Sequence, residues 1–174
     1  MPLSYDTTFE MGDFYVSVLT YRQTEFEEMP VIPLIFMLHM DRLQTIHEFF
    51  FSRVAELIPQ IAESKNVIIV NDAEKAITNA VFHTWPNIPM FRCWIHAWKN
   101  IKLHLSKINI RDKSSVATYK SDFMHLLLQK TERSHKSLLA KLYLKSWNKV
   151  IYHSKKFFTF QNFNIFLLGF CGLL

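Results

Sequence analysis

The sequence predicts an α/β fold, a mixed sheet of about five strands flanked by helices and followed by a basic helical extension. Three observations predict it. Short apolar and β-branched runs recur up to Trp94, and they are separated by turn residues or by helical spacing in the order strand, strand, strand, helix, strand, helix. Wholly apolar runs such as Val67-Ile68-Ile69-Val70 read as strands buried on both faces, the habit of parallel or mixed sheets, whose ligands collect at the carboxyl ends of the strands. From Ser114 onward apolar residues recur at spacings of three and four with lysines between them.

The first strand is the short run Leu3-Ser4-Tyr5, which ends at Asp6. Gly12-Asp13 marks a turn, and Phe14–Tyr21, aromatic and β-branched, follows as the second strand. The third is Val31–Leu38, where Pro33 cannot donate to a ladder and belongs near the strand's start or on a free edge. A helix then opens at Asp41, which the spacing to Gln44 marks as its cap. Leu43, Ile46, Phe50, Val54, Leu57 and Ile61 form its apolar face, with Pro59 expected to kink or fray the last turn. The fourth strand, Asn66–Val70, leads through Asp72 to a helix over about 74–84 that stops before Pro86. Met90–Trp94 reads as a short fifth strand entering a helix near His96–Leu105. Beyond Ser114, two amphipathic helices anchored by Leu126, Leu127, Leu138, Leu139, Leu142 and Trp147 are separated near Thr131–Ser134.

A chain of 174 residues, 49% hydrophobic and 15% aromatic, is ample for a packed core and excludes a disordered segment. Two cysteines, Cys93 and Cys171, exclude a disulfide framework, and the start Met1–Asp6 lacks the basic and apolar regions of a secretory signal, so an intracellular, reducing location is expected. The net charge of +5 conceals an asymmetry. Residues 1–72 carry 4 Lys+Arg against 11 Asp+Glu, and residues 73–174 carry 16 against 4. That division suits a polyanion on the second part and divalent cations on the first, although a solvated basic helix face gives the same counts.

Asp6 and Asp72 are the candidate metal ligands. The element order is similar to that of the ribonuclease-H-like fold, in which the first and fourth strands are neighbours at the sheet centre. The two carboxylates would then share one rim. Hard oxygen ligands suit Mg²⁺, which keeps waters and takes phosphate oxygens, and a two-metal site there would serve phosphoryl transfer on nucleic acid. Singly, Asp6 reads equally well as a turn acid and Asp72 as a helix N-cap.

Four strings, taken together in their order and spacing, resemble the Mutator-like element (MULE) transposases, most of all those of invertebrate Mutator-type elements. They are Tyr5-Asp6-Thr7-Thr8-Phe9, Pro30-Val31-Ile32-Pro33-Leu34, Asn71-Asp72-Ala73-Glu74-Lys75-Ala76-Ile77, and Arg92-Cys93-Trp94-Ile95-His96 followed by Asn100. The resemblance implies a catalytic trio of two aspartates and a glutamate that binds Mg²⁺ or Mn²⁺, cuts transposon ends and joins them to target DNA. Asp6 and Asp72 correspond by motif position to the first two acids, and Cys93 with His96 to a signature near the catalytic rim. It also implies DNA as partner, self-association as in transposases, and a nuclear location.

Two departures from the family pattern shape the expected function. The family's last glutamate follows a helical insertion, on a helix that packs back on the sheet, whereas the last acid here is Glu132, inside the segment resembling the insertion. The third catalytic acid is therefore expected to be missing. The front is short as well, with half of the first strand and no upstream DNA-binding region. The expected organisation is a core over 1–110 that is incomplete at its start, an insertion-like helical segment over 111–156, and an apolar tail over 157–174 outside the fold. The expected function is that of a DDE-type DNA transposase fragment, inactive alone. A non-catalytic DNA- or protein-binding module derived from a transposase is the alternative.

The remaining candidates weigh less. Cys93 and His96 lack the further ligands of a structural zinc site, so packing and a hydrogen bond from His96 are expected instead. Trp94, Trp98 and Trp147 suit a core better than base stacking. Lys99, Lys102 and Lys107, with Lys113, Lys141, Lys145 and Lys149, form the candidate phosphate-binding set. The other histidines, His39 and His47 among them, read as ordinary polar positions. Phe157–Leu174 carries no charge, but its apolar run Ile165–Leu174 is well short of the ~20 residues of a spanning helix, so no membrane is expected.

Overall fold

The computed structural model describes residues 1–23 and 25–147, and the expectations for 157–174 lie outside them. The chain divides into two compact units, Met1–Phe91 and Arg92–Leu174. Between Asp72 and Arg92 the charged side chains Glu74 and Lys75 cancel, so the acidic and basic stretches of the sequence are also the two units.

The first unit is built on a five-stranded mixed sheet of order β3-β2-β1-β4-β5. Strands β1 (Pro2–Met11) and β2 (Phe14–Arg22) form an antiparallel hairpin turning at Gly12, whose φ of 68° is a left-handed conformation that costs glycine nothing. β3 (Val31–His39) pairs antiparallel with β2, β4 (Ile68–Asn71) runs parallel to β1, and β5 (Met90–Arg92) is the far edge. The expected adjacency of first and fourth strands is present. Pro33 lies on the edge strand, where its missing N–H is tolerated. Leu19 pairs with Ile35 but Thr20 with Pro33, so Leu34 is an extra residue, a bulge. Leu34 and Ile35 both pack on the core, and the bulge shifts the phase of the strand: Val31 and Pro33 before it and Phe36 and Leu38 after it are exposed.

Helices α1 (Gln44–Leu57) and α3 (Lys75–Thr84) cover one face of this sheet, with the short α2 (Gln60–Glu63) between them in sequence. Leu3, Tyr5, Leu19 and Ile69 from the sheet meet Phe50, Phe51, Val54, Ile77, Ala80 and Val81 in one core. The buried stripe of α1 is His47, Phe50, Phe51 and Val54; Phe50 and Val54 were predicted, His47 and Phe51 were not. Leu43 and Leu57 are 58% and 63% exposed. Asp41 does not cap the helix; the N-cap position is Leu43, without a side-chain bond. Pro59 ends α1 as expected, and Ile61 is buried from α2 instead. β4 alternates, with Ile69 and Asn71 buried and Ile68 and Val70 half-buried, instead of being buried on both faces.

The second unit comprises α4 (Trp94–Lys107), α5 (Lys113–Leu127), α6 (Glu132–Leu142) and a π-helical turn, Tyr143–Trp147. Its own core joins Ala97, Trp98, Ile101, Leu105, Tyr119, Phe123, Leu126, Leu127, Leu142 and Trp147. The N–H of Ser115 donates to the Asp112 carboxylate at 2.7 Å and that of Ser134 to the Thr131 hydroxyl at 3.1 Å, side-chain caps that set where α5 and α6 begin. α4 starts two residues earlier than predicted, because Ala97 N–H already closes a turn on the Cys93 carbonyl. Among the described residues no helix is long and apolar enough to cross a membrane.

Candidate acidic site

Parallel strands β1 and β4 place Pro2, Leu3 and Ser4 opposite Ile68, Ile69 and Val70. Asp6 and Asp72 each stand two residues beyond the last of these pairs. Alternation puts Asp6 on the Ser4 face, away from α1, and it is half-buried while Tyr5 and Thr7 on either side are buried. Asp6 is not at a strand end, as the sequence suggested. β1 continues to Met11 through its pairing with β2, in which Asp6 faces Val18; it is the parallel neighbour β4 that ends, at Asn71. Asp6 therefore sits where the sheet splits, and a turn-acid role is ruled out.

The chain leaves β4 through a compact turn. Ala73 N–H donates to Asn71 Oδ1 at 2.6 Å and Glu74 N–H to Asp72 Oδ1 at 2.8 Å, and Ala73 takes a left-handed φ of 62°. Asp72 is not the N-cap of α3; Glu74 holds that position. The Glu74 carboxylate forms an ion pair with Arg42, whose guanidinium also lies 5.8 Å from the centroid of the Tyr15 ring. This pair ties the turn to the segment before α1. Among the described residues, no hydrogen bond or ion pair engages the Asp6 carboxylate, and Oδ1 of Asp72 is engaged only within its own turn.

Under the sheet lies a polar network that sequence reasoning missed. The Tyr5 hydroxyl pairs with His47 Nδ1 at 2.8 Å. Thr7, Ser17 and His39 form a second chain, with Thr7 Oγ1 to Ser17 Oγ at 2.8 Å and Ser17 Oγ to His39 Nε2 at 2.8 Å. His39 Nδ1 is 2.7 Å from the Asp41 carbonyl, which can only accept. In neutral His39 the proton is thus on Nδ1, Ser17 donates to Nε2, and Thr7 donates to Ser17. The His39 and His47 rings are 5.8 Å apart. Burial holds His47 down at about 4, with His39 and Arg42 acting in the same sense and Asp72 against them. Burial pushes Tyr5 up to about 12, opposed by the Ser17 and Thr7 hydroxyls and aided by the charges of Asp72 and Glu74. The Asp72 charge is thus felt by both buried partners. A histidine in phase with Phe50, Phe51 and Val54 was the available signal.

Two hard carboxylates, Asp6 without a partner among the described residues and Asp72 with Oδ1 accepting from Glu74 N–H, fit a hydrated Mg²⁺ or Mn²⁺ by donor type. Among the described residues no group of three or more His, Cys, Asp or Glu side chains gathers closely enough to hold a metal ion. In the second unit, Glu132 on the first turn of α6 pairs with Lys136 at 2.6 Å. Cys93 is the N-cap residue of α4, a half-buried free thiol, and His96 lies in the first turn with Nδ1 buried and unpartnered among the described residues. Lys99, Lys102 and Lys107 share the exposed face of α4, opposite Ala97, Trp98, Ile101 and Leu105. Trp98 and Trp147 are buried in the core and Trp94 packs against it, as expected. Lys113 and Lys141 are exposed, and the side chains of Lys145 and Lys149 lie outside the described residues.

A match to the MULE transposase domain family spans residues 2–100, which include Asp6, Asp72, Cys93 and His96. A search of curated proteins finds no match to the chain.

Proposed function

We propose that this chain, which belongs to the MULE transposase domain family, keeps two acids of a ribonuclease-H-like strand-transfer site, Asp6 and Asp72, and binds DNA without cutting it alone. The observation that carries this reading is the β1–β4 register, which advances both acids equally beyond the last strand pair. The strand order β3-β2-β1-β4-β5 supports the ribonuclease-H-like part. The Asn71–Glu74 turn and the Arg42–Glu74 pair act to position Asp72, and the sheet split at Asp6 leaves its carboxylate free to turn toward the same rim. When bound there, Mg²⁺ or Mn²⁺ would draw phosphate oxygens to the rim and stabilise their charge.

Inactivity rests on the third ligand. Among the described residues no third His, Cys, Asp or Glu joins Asp6 and Asp72 in a metal-holding group, and Glu132 is paired with Lys136. DNA affinity is assigned to the basic unit, with Lys99, Lys102 and Lys107 on its exposed α4 face as phosphate contacts, and a nuclear location is proposed along with it. The test is incubation of a labelled duplex with Mn²⁺ and the chain, Asp6→Ala or Asp72→Ala. The expected result is salt-dependent binding by all three and cleavage by none. Cleavage by the parent chain, lost in both variants, would overturn inactivity while keeping the acidic site; no binding at low salt would remove the DNA partner.

A further inference from the structure

Strand β3 is an edge strand of nine residues whose outer side has no strand partner among the described residues. Such an edge presents a row of backbone N–H and C=O groups to any chain that can pair with them, and proteins usually guard it with charges, prolines or bulges. Here the guards are confined to the first half, Pro33 and the bulge at Leu34. From Ile35 to His39 there is none, and no Asp, Glu, Lys or Arg occurs between Met29 and Met40. On the face away from α1, Phe36 is 69% and Leu38 58% exposed, beside the half-buried Val16 and Val18 of β2.

We infer that Ile35–His39 of β3 pairs antiparallel with the same segment of a second copy, about a two-fold axis at Met37. This goes beyond the proposed function and stands whether or not the acidic site works. A two-fold pairing sets a strand against itself, so any charge in it would meet its like nearby; this segment has none to repel. Centring on Met37 sets Phe36 opposite Leu38 of the second copy, and Leu38 opposite its Phe36. The two most exposed apolar side chains of the strand are then each other's cross-strand partners, twice per dimer. Two five-stranded sheets become one continuous sheet.

The test is sedimentation equilibrium of the full chain over a concentration series, alongside Phe36→Lys, Leu38→Lys and, as a control of equal added charge on α1, Leu57→Lys. The expected result is a reversible dimer in the parent and the control, and a dissociation constant raised about tenfold or more in both β3 variants. Far-ultraviolet circular dichroism identical to the parent's verifies that the exposed substitutions leave the fold intact. A monomeric parent, or a dimer equally strong in the β3 variants, would overturn the inference and leave this edge to another segment or partner.

Discussion

The Tyr5 hydroxyl lies 2.8 Å from Nδ1 of His47, joining the central strand to the helix that covers it. His47 is fully buried, its Nε2 has no partner among the described residues, and its ring stands 5.8 Å from that of His39. The face of β1 that carries Tyr5 is thus fixed by a polar contact within an aromatic core, and Asp6 on the opposite face inherits that rigidity.

Tyr5→Phe removes the contact and leaves His47 Nδ1 buried and unpaired as well. The expected loss is about 1–3 kcal/mol of stability, read from the urea unfolding midpoint at unchanged slope.

Acid should weaken the fold through His47. Its folded value of about 4 lies below the ordinary 6.5, so the unfolded chain takes up the proton first, and stability is kept above pH 6.5 and lost as the pH falls toward 4. The groups facing it are Tyr5, His39, Arg42 and Asp72, of which only Asp72 favours the proton. A loss of about 3 kcal/mol is expected across that window. Tyr5 acts at the other end: its folded value is raised from 10 to about 12, so its share of stability is intact below pH 10 and lost above it. Unfolding midpoints measured across pH check both arms.

How much of this was legible in the sequence depends on the range of the interaction. The order of strands and the candidate pair Asp6 and Asp72 are visible because alternation and turn residues are local signals. The α1 face was misread because His47 interrupts the apolar pattern, so the stripe was drawn through Leu43 and Leu57, which face solvent. The end of β1 was misplaced since the apolar run stops at Tyr5, whereas pairing with β2 continues to Met11. The link between Ser17 and His39 spans 22 residues across the β2–β3 connection, and nothing in either residue's neighbourhood announces it. Asp41 had the right spacing for a cap, yet Leu43 occupies the position.

Ala73→Gly tests the turn that carries Asp72. A left-handed φ of 62° is strained for alanine and free for glycine. The variant should gain about 0.5–1 kcal/mol, seen as a higher thermal midpoint, with Glu74 N–H still protected by Asp72 in hydrogen exchange.

Phe123→Ala tests the second core. Phe123 is buried among Trp98, Leu105 and Leu126 in a cluster that shares no residue with the core under the sheet. A loss of about 3–5 kcal/mol is expected, with hydrogen-exchange protection falling in α4, α5 and α6 while the amides of β1 and β2 keep theirs.

The central claim is that Asp6 and Asp72 together hold a divalent cation. Titration with Mn²⁺, followed by its electron paramagnetic resonance signal, compares the parent with Asp6→Asn and Asp72→Asn. Asparagine keeps the Oδ1 acceptor for Glu74 N–H, so the second variant removes charge without dismantling the turn. The account predicts saturable Mn²⁺ binding by the parent, weakened about tenfold or more in each variant. Binding that survives both substitutions, or a parent that takes up no Mn²⁺, would contradict it.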